Sequence, residues 1–271
     1  MKKIWRGVTW SIFIRRWLGR SRTAGGILHV AAIIRWKFIP NKAWDEPSSD
    51  ERVAGKPKNL IKLPKKTSNL KKAIALGWEI IKQSKNACSA FGRIMMSEVT
   101  NTISHQELIE LDPELQWAYQ EATGGSRASG DRIQNAFQQY HLHPQGFPDT
   151  DFERLDGYTV HELKILLAQG ILIGTGCYWK WVPEERATNF GLMKKTGEFV
   201  PGTGKSLGGH FIVLVDFDAT GFICIESEKM QWGDNMAGVF HVAFEHAGSL
   251  MSKYISKDCK DFSEDDGIKE V

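Results

Sequence analysis

Asn86-Ala87-Cys88-Ser89-Ala90-Phe91-Gly92-Arg93-Ile94-Met95-Met96-Ser97-Glu98-Val99 decides the reading of this 271-residue chain. Its apolar positions 90, 91, 94, 95 and 99 recur at helical spacing, which puts Cys88 in the first turn of a helix. A helix N-terminus carries free N–H groups and a positive partial charge. Both favour thiolate over thiol, so Cys88 is a candidate nucleophile. The alternative is a buried core cysteine, the commoner fate of a lone thiol.

Outward from this block the period changes. Residues 69–84 read as a mixed polar-apolar helix, residues 132–140 (RIQNAFQQY) as another, and residues 160–169 (VHELKILLAQ) as a third, closed by Gly170. Strand-type runs follow at Ile171 to Gly174, Phe211 to Asp216 (FIVLVD), Phe222 to Ile225 and Val239 to Phe244. Ala219-Thr220-Gly221 is the turn between the second and third of these runs. Helices first and strands later is the α+β pattern rather than alternating βαβ. Gly208-Gly209-His210 stands before the run FIVLVD. A histidine there can face a cleft or pack at a strand edge. Glu226 lies sixteen residues beyond it. Cysteine first and histidine 122 residues later is an order and separation that suit thiol catalysis.

Composition bounds the rest. A hydrophobic fraction of 42% with 25% charged residues describes a folded globular chain and excludes wholesale disorder or a fibre. No apolar run reaches the 18 or so residues of a membrane span. The net charge of +3 conceals +14 over residues 1–72 and −11 over the remainder. Residues 1–43 hold ten basic residues and no acid, with Trp5, Trp10, Trp17 and Trp36 interleaved. Arg6 and Arg15-Arg16 interrupt the apolar core a signal peptide would need. Two readings stay open for this arm. It can form short amphipathic helices that lie on an acidic surface such as membrane head groups, a nucleic acid or the chain's own acidic body. It can equally be a packed extension with buried tryptophans and solvated arginines. Pro40 to Pro64 is linker-like. The organisation expected is a basic, Trp-rich extension and linker over 1–68, a catalytic-type body over 69–250 and an acidic tail over 251–271.

Two patterns carry no chemistry. Gly202-Thr203-Gly204-Lys205-Ser206 has Phe199 where a phosphate-binding loop needs glycine, and it reads as a loop leading to His210. His141 with His143, and His241 with His246, lack companion ligands at metal spacing, so neither a metal nor another cofactor is expected.

In order along residues 75–247, six blocks resemble the papain-like cysteine peptidases. Residues 86–91 resemble the G-S-C-W-A-F nucleophile block, and Ile103 to Asp112 the L-S-x-Q-x-L-V-D-C segment. Gly130 to Tyr140 resembles the G-G-x-x-x-x-A-F helix start, and Val160 to Gly174 the A-L-x-x-G-P-V-x-V-x-I stretch. Gly208 to Phe217 resembles G-G-H-A-V-L-V-V-G-Y. Phe222 to Asn235 resembles F-x-x-x-N-S-W-G-x-x-W-G-x-N. The resemblance implies a two-lobed fold, with a helical lobe carrying the cysteine and a β-barrel-like lobe carrying the histidine. It implies a peptidase in which Cys88 is the nucleophile, His210 the general base and acid, and Glu226 the group that orients His210. Gln83 would be the oxyanion donor beside the Cys88 N–H. The implied partner is a peptide or protein substrate.

The chain departs from that pattern at named places. Gln83 is five residues before Cys88 where the family has six, and Ser89 stands for a tryptophan. Glu226 stands for an asparagine, and Glu228 for the tryptophan that shields the His-Asn contact. A carboxylate accepts from imidazole as an amide does, and it favours imidazolium by charge. These departures keep a second reading open, a catalytically silent papain-fold binding or structural module that docks through its basic arm. The usual disulfide partners are also missing, with Lys85 and Leu111 in their places, while Cys177, Cys224 and Cys259 remain. That loss suits a reducing compartment such as the cytoplasm.

Overall fold

A computed structural model describes residues 62–84, 86–122, 152–182 and 187–256. The expected helix at 132–140, the pair His141 and His143, Cys259, and the arm with nearly all of the linker lie outside the described residues. Five α-helices and seven strands are described. They are α1 (Asn69–Ala75), α2 (Cys88–His105), α3 (Pro113–Ala122), β1 (Phe152–Arg154), α4 (Val160–Ala168), β2 (Ile173–Val182), β3 (Ala187–Thr188), α5 (Asn189–Thr196), β4 (Ser206–Phe217), β5 (Gly221–Ile225), β6 (Val239–Ala243) and β7 (Tyr254–Ser256). A 3₁₀ turn at Phe244–Ser249 precedes β7.

The strands form one antiparallel sheet in the order β1-β7-β2-β4-β5-β6, with β3 paired to β2. Its β6 edge is met by the segment after α5, where Phe199 N–H donates to the His241 carbonyl and His241 N–H to the Gly197 carbonyl. The sheet continues past residue 250, because Tyr254, Ile255 and Ser256 are all buried and paired in β7.

The long strand β4 is the spine. Every residue from His210 to Phe217 is buried, and alternation sends them to opposite faces. Phe211, Val213 and Val215 pack with Met95, Met96 and Val99 of α2. Ile212 and Leu214 pack on the other side with Leu163, Leu167, Cys177, Cys224 and Phe240. This is why FIVLVD shows no polar alternation, since both faces of the strand are covered. Helix α2 is enveloped in turn, with Ser89 to Thr100 all buried. It approaches β4 closely at Gly92, where a Cβ would run into the Phe211 ring.

The expected helix over 69–84 stops at Ala75. Trp78 N–H returns to the Ala73 carbonyl and Gly77 N–H to the Ile74 carbonyl, each 3.0 Å. This is a Schellman closure, with Gly77 at φ +98 supplying the left-handed residue. At the other end of α1, Ser68 offers no capping side chain. The Asp216 carboxylate of β4 does so instead, accepting from Asn69 N–H (2.7 Å) and Leu70 N–H (3.0 Å). Helix α4 begins with a capping box between Thr159 and Glu162 and ends before Gly170 at φ +80, close to the predicted bounds. The strand expected at 171–174 starts two residues later and runs on to Val182. The run at 239–244 ends at Ala243, where Phe244 opens the 3₁₀ turn.

Glu98 ties the helical side together. Buried in α2, its carboxylate accepts from Trp78 Nε1 (2.9 Å) and Leu111 N–H (2.8 Å). Burial pushes its carboxyl up to about 7 despite those two donors.

Two outcomes follow from these contacts. Gly92→Ala should lower stability by about 1–3 kcal/mol through overpacking against Phe211. Combining it with Phe211→Leu should return part of that loss in denaturant titration. Because the folded-state pKa of Glu98 is raised, its favourable contribution is complete below about pH 4.5 and lost as pH rises through about 7. Unfolding free energies at pH 5 and pH 8 should therefore fall more for the native chain than for Glu98→Gln, by about 3 kcal/mol or less.

Candidate active site

Three chain segments deliver the candidate residues to one place. Cys88 is the first residue of α2, and Ala87 before it offers no capping side chain. The residue is half-buried. His210 lies inside β4, opposite Cys177 of β2. It is therefore a strand residue rather than one that precedes the strand. Gly208 opposes Trp179 two residues earlier, and its φ of +146 is a conformation that side chains avoid. Glu226 follows β5 directly and is fully buried.

Glu226 is held by three donors. Trp232 Nε1 and Met230 N–H each reach Oε1 at 3.1 Å, and Glu228 N–H reaches Oε2. Its Oε2 also lies 3.3 Å from His210 Nε2. The carboxylate sits off the direction of the ring N–H, so the contact is an ion pair by distance and not an aligned hydrogen bond. With Nε2 against Glu226, the Nδ1 end of the ring is the one left for the sulfur.

The electrostatics are mutually reinforcing. Burial pushes the Cys88 thiol up. The hydrogen bond and charge of His210, with a backbone hydrogen bond at Phe211, outweigh that and bring the thiol below its ordinary value, while the Glu228 charge opposes them. Burial pushes the His210 imidazole down, and its contacts with Cys88 and Glu226 raise it above the usual histidine range. Burial pushes the Glu226 carboxyl up, and His210 with the N–H groups of Met230 and Glu228 brings it below the usual carboxylate value. The three shifts act in one direction, favouring thiolate, imidazolium and carboxylate over their neutral forms.

Gln83 is fastened to the same strand end. Its N–H donates to the Ser227 carbonyl (2.6 Å), and the Ser227 hydroxyl donates to its Oε1 (2.6 Å). The amide oxygen is thereby turned onto Ser227, with the NH₂ on the other side. Residue 83 therefore belongs to the site through its link to the residue after Glu226.

Trp179 was not legible as a site residue. Its indole stacks on the His210 ring at 5.4 Å between centroids and 27° between planes. Phe190 meets both Trp179 and Trp232 edge-on, at 5.6 and 5.2 Å. These rings wall off the imidazole and carboxylate from the sheet side. Position 228 holds glutamate, and the indole that lies on the His210 ring comes from β2. Its only sequence signal is a shared strand face with Cys177, and that needs the cross-strand register. Lys229 adopts φ +54 where the resembling run has glycine, so the loop geometry survives without that residue. His241 is elsewhere, in β6 against Asp218 (3.4 Å) and the Thr220 hydroxyl (3.3 Å). Cys177 and Cys224 are fully buried in the core, and burial holds both thiols well above their ordinary value.

No protein-family model matches the chain, and neither does any curated protein. Solved structures do resemble it. Xylellain, a cysteine protease from Xylella fastidiosa, superposes with a TM-score of 0.55 at 14% identity, over 76% of this chain and 91% of that one. A procathepsin B from Trypanosoma congolense gives 0.58 at 13%, over 79% and 84%. The bromelain protease of Ananas comosus, in complex with an inhibitor, gives 0.50 at 13%, over 72% and 99%. The fold is therefore papain-like, the α+β architecture expected from the sequence.

Two measurements probe the site directly. Glu226→Ala strands three donors, two backbone and one indole, and should cost about 2–4 kcal/mol in chemical denaturation, whereas Glu226→Gln keeps an acceptor and should cost less. In His210→Ala the thiol loses its cation. Its iodoacetamide rate at pH 6.5, read by mass spectrometry of the peptide carrying Cys88, should fall by about tenfold or more.

Proposed function

We propose that the chain is a thiol peptidase that hydrolyses peptide bonds through an acyl-thioester on Cys88. The observation that carries this is the meeting of a thiol at a helix N-terminus, held below its ordinary pKa by His210, with an imidazole whose other end lies against a buried carboxylate. The Cys88 thiolate attacks the scissile carbonyl carbon, and the C=O π pair moves to oxygen. The backbone N–H of Cys88 and the Gln83 amide hold that oxyanion. As the tetrahedral species collapses, the C–N bond breaks and imidazolium His210 gives its proton to the leaving nitrogen. Neutral His210 then takes a proton from water, whose oxygen attacks the thioester carbonyl. The C–S bond breaks, the acid departs and the thiolate–imidazolium pair is restored. Glu226 keeps the ring oriented and favours its protonated form throughout.

The stack of Trp179 on His210 supports activity over a silent module, because it supplies the cover that Glu228 does not. The test uses an epoxide thiol probe and a quenched peptide library in parallel. Labelling should fall on Cys88 and be lost in His210→Ala, and Cys88→Ala should abolish cleavage. Labelling of Cys88 that is unchanged in His210→Ala, with no peptide cut, would overturn the reading in favour of a binding module.

A further inference from the structure

His210 has two ends, and Glu226 occupies only one. Its Nε2 meets Glu226 at 3.3 Å. The other end, Nδ1, is the one that hands a proton to the leaving nitrogen in the reaction proposed above. Glu228 Oε1 lies 4.0 Å from that same Nδ1. Whatever follows the scissile bond in a substrate must therefore pass beside Glu228.

The two carboxylates differ in what they can reach. Glu226 is fully buried and saturated by three donors. The Glu228 side chain is 33% exposed. Its neighbour Lys229 points its Nζ to Glu79, at 3.8 Å. Among the described residues, no lysine or arginine lies within ion-pair distance of the Glu228 carboxylate. One imidazole thus faces two carboxylates, and of these Glu228 lies on the side open to solvent. The run that this segment resembles has tryptophan at the position, which offers an apolar wall and no charge.

Resting on the peptidase reading, we propose that Glu228 is a specificity-determining residue that selects a cationic side chain, lysine or arginine, at the first substrate residue on the leaving-amine side. A cation there would pair with Glu228 across a partly exposed gap, and an acidic residue would meet like charge in a site already negative. The product released first would then be a peptide with a basic amino-terminal residue.

The experiment uses quenched peptide libraries, randomised elsewhere, that differ only in Lys, Ala or Glu after the scissile bond. The readout is the Lys/Glu ratio of kcat/KM, which cancels general losses in activity. The native chain should favour Lys by about tenfold at low ionic strength, as expected for one partly exposed attraction against one repulsion, and the ratio should shrink with added salt. Glu228→Gln should bring the ratio near unity, and Glu228→Lys should bring it below unity. Cleavage of the Ala library without charge discrimination, or a ratio unchanged in Glu228→Gln, overturns this assignment and leaves the peptidase reading standing. Failure to cut any library, with Cys88 inert to the epoxide, overturns both.

Discussion

A carboxylate with no access to water sits beside an imidazole, and the site is organised around that fact. An ionised group of this kind is tolerated only when its charge and lone pairs are met. Glu226 meets both demands with two backbone N–H groups, one indole N–H and the His210 ring. The loop from Ser227 to Trp232 is shaped by that requirement, since three of its members turn donors inward to one side chain. Gln83 is pulled to the same strand end through Ser227. The carboxylate thus lies against the ring, and the ring holds the Cys88 thiol below its ordinary pKa. Such a pair is weak evidence for added stability and stronger evidence for preorganisation, because an apolar replacement would serve the core as well.

Strand β4 makes this arrangement possible by serving two layers. Its Phe211, Val213 and Val215 pack on α2, which carries Cys88, while Ile212, Leu214 and, past the irregularity between Leu214 and Asp216, Phe217 face the other core. His210 stands at the point where the strand passes out of that core. The missing glycine side chain at 92 sets how near α2 comes to the strand, so the sulfur-to-ring spacing depends on packing several residues away. The indole stacked on the ring comes from β2, and Trp232 of the loop that carries Glu226 packs beside it. The same physical need, exclusion of water from an ion pair, is met by an indole from another part of the chain.

Local pattern in the sequence revealed the start of α2, the capped helix at 160, the doubly buried run FIVLVD and the turn at 219–221. These features rest on contacts within a few residues, which leave a periodic trace. Cys88, His210 and Glu226 were legible because the resemblance placed them in order. Trp179 was not, since its role depends on which residue of β4 it opposes. The end of α1 is hidden in the sequence because Trp78, Ile80 and Ile81 prolong an apolar rhythm past Gly77, and only the left-handed glycine reveals the stop. Strand β7 falls inside the stretch the sequence reads as tail, because three residues are too few to stand out as a period.

The Asp216 carboxylate that completes the first turn of α1 arrives 146 and 147 residues after the groups it caps. On a ribosome, α1 would emerge long before its partner and would have no means of closing its own N-terminus. A seven-residue helix is marginal alone, so it would stay frayed until β4 had been synthesised. The nascent thiol of Cys88 would wait through the same interval without an imidazole. A polypeptide released early, anywhere short of residue 210, would carry Cys88 without the His210 ring beside it. Translation order therefore keeps the site unassembled until β4 has been made.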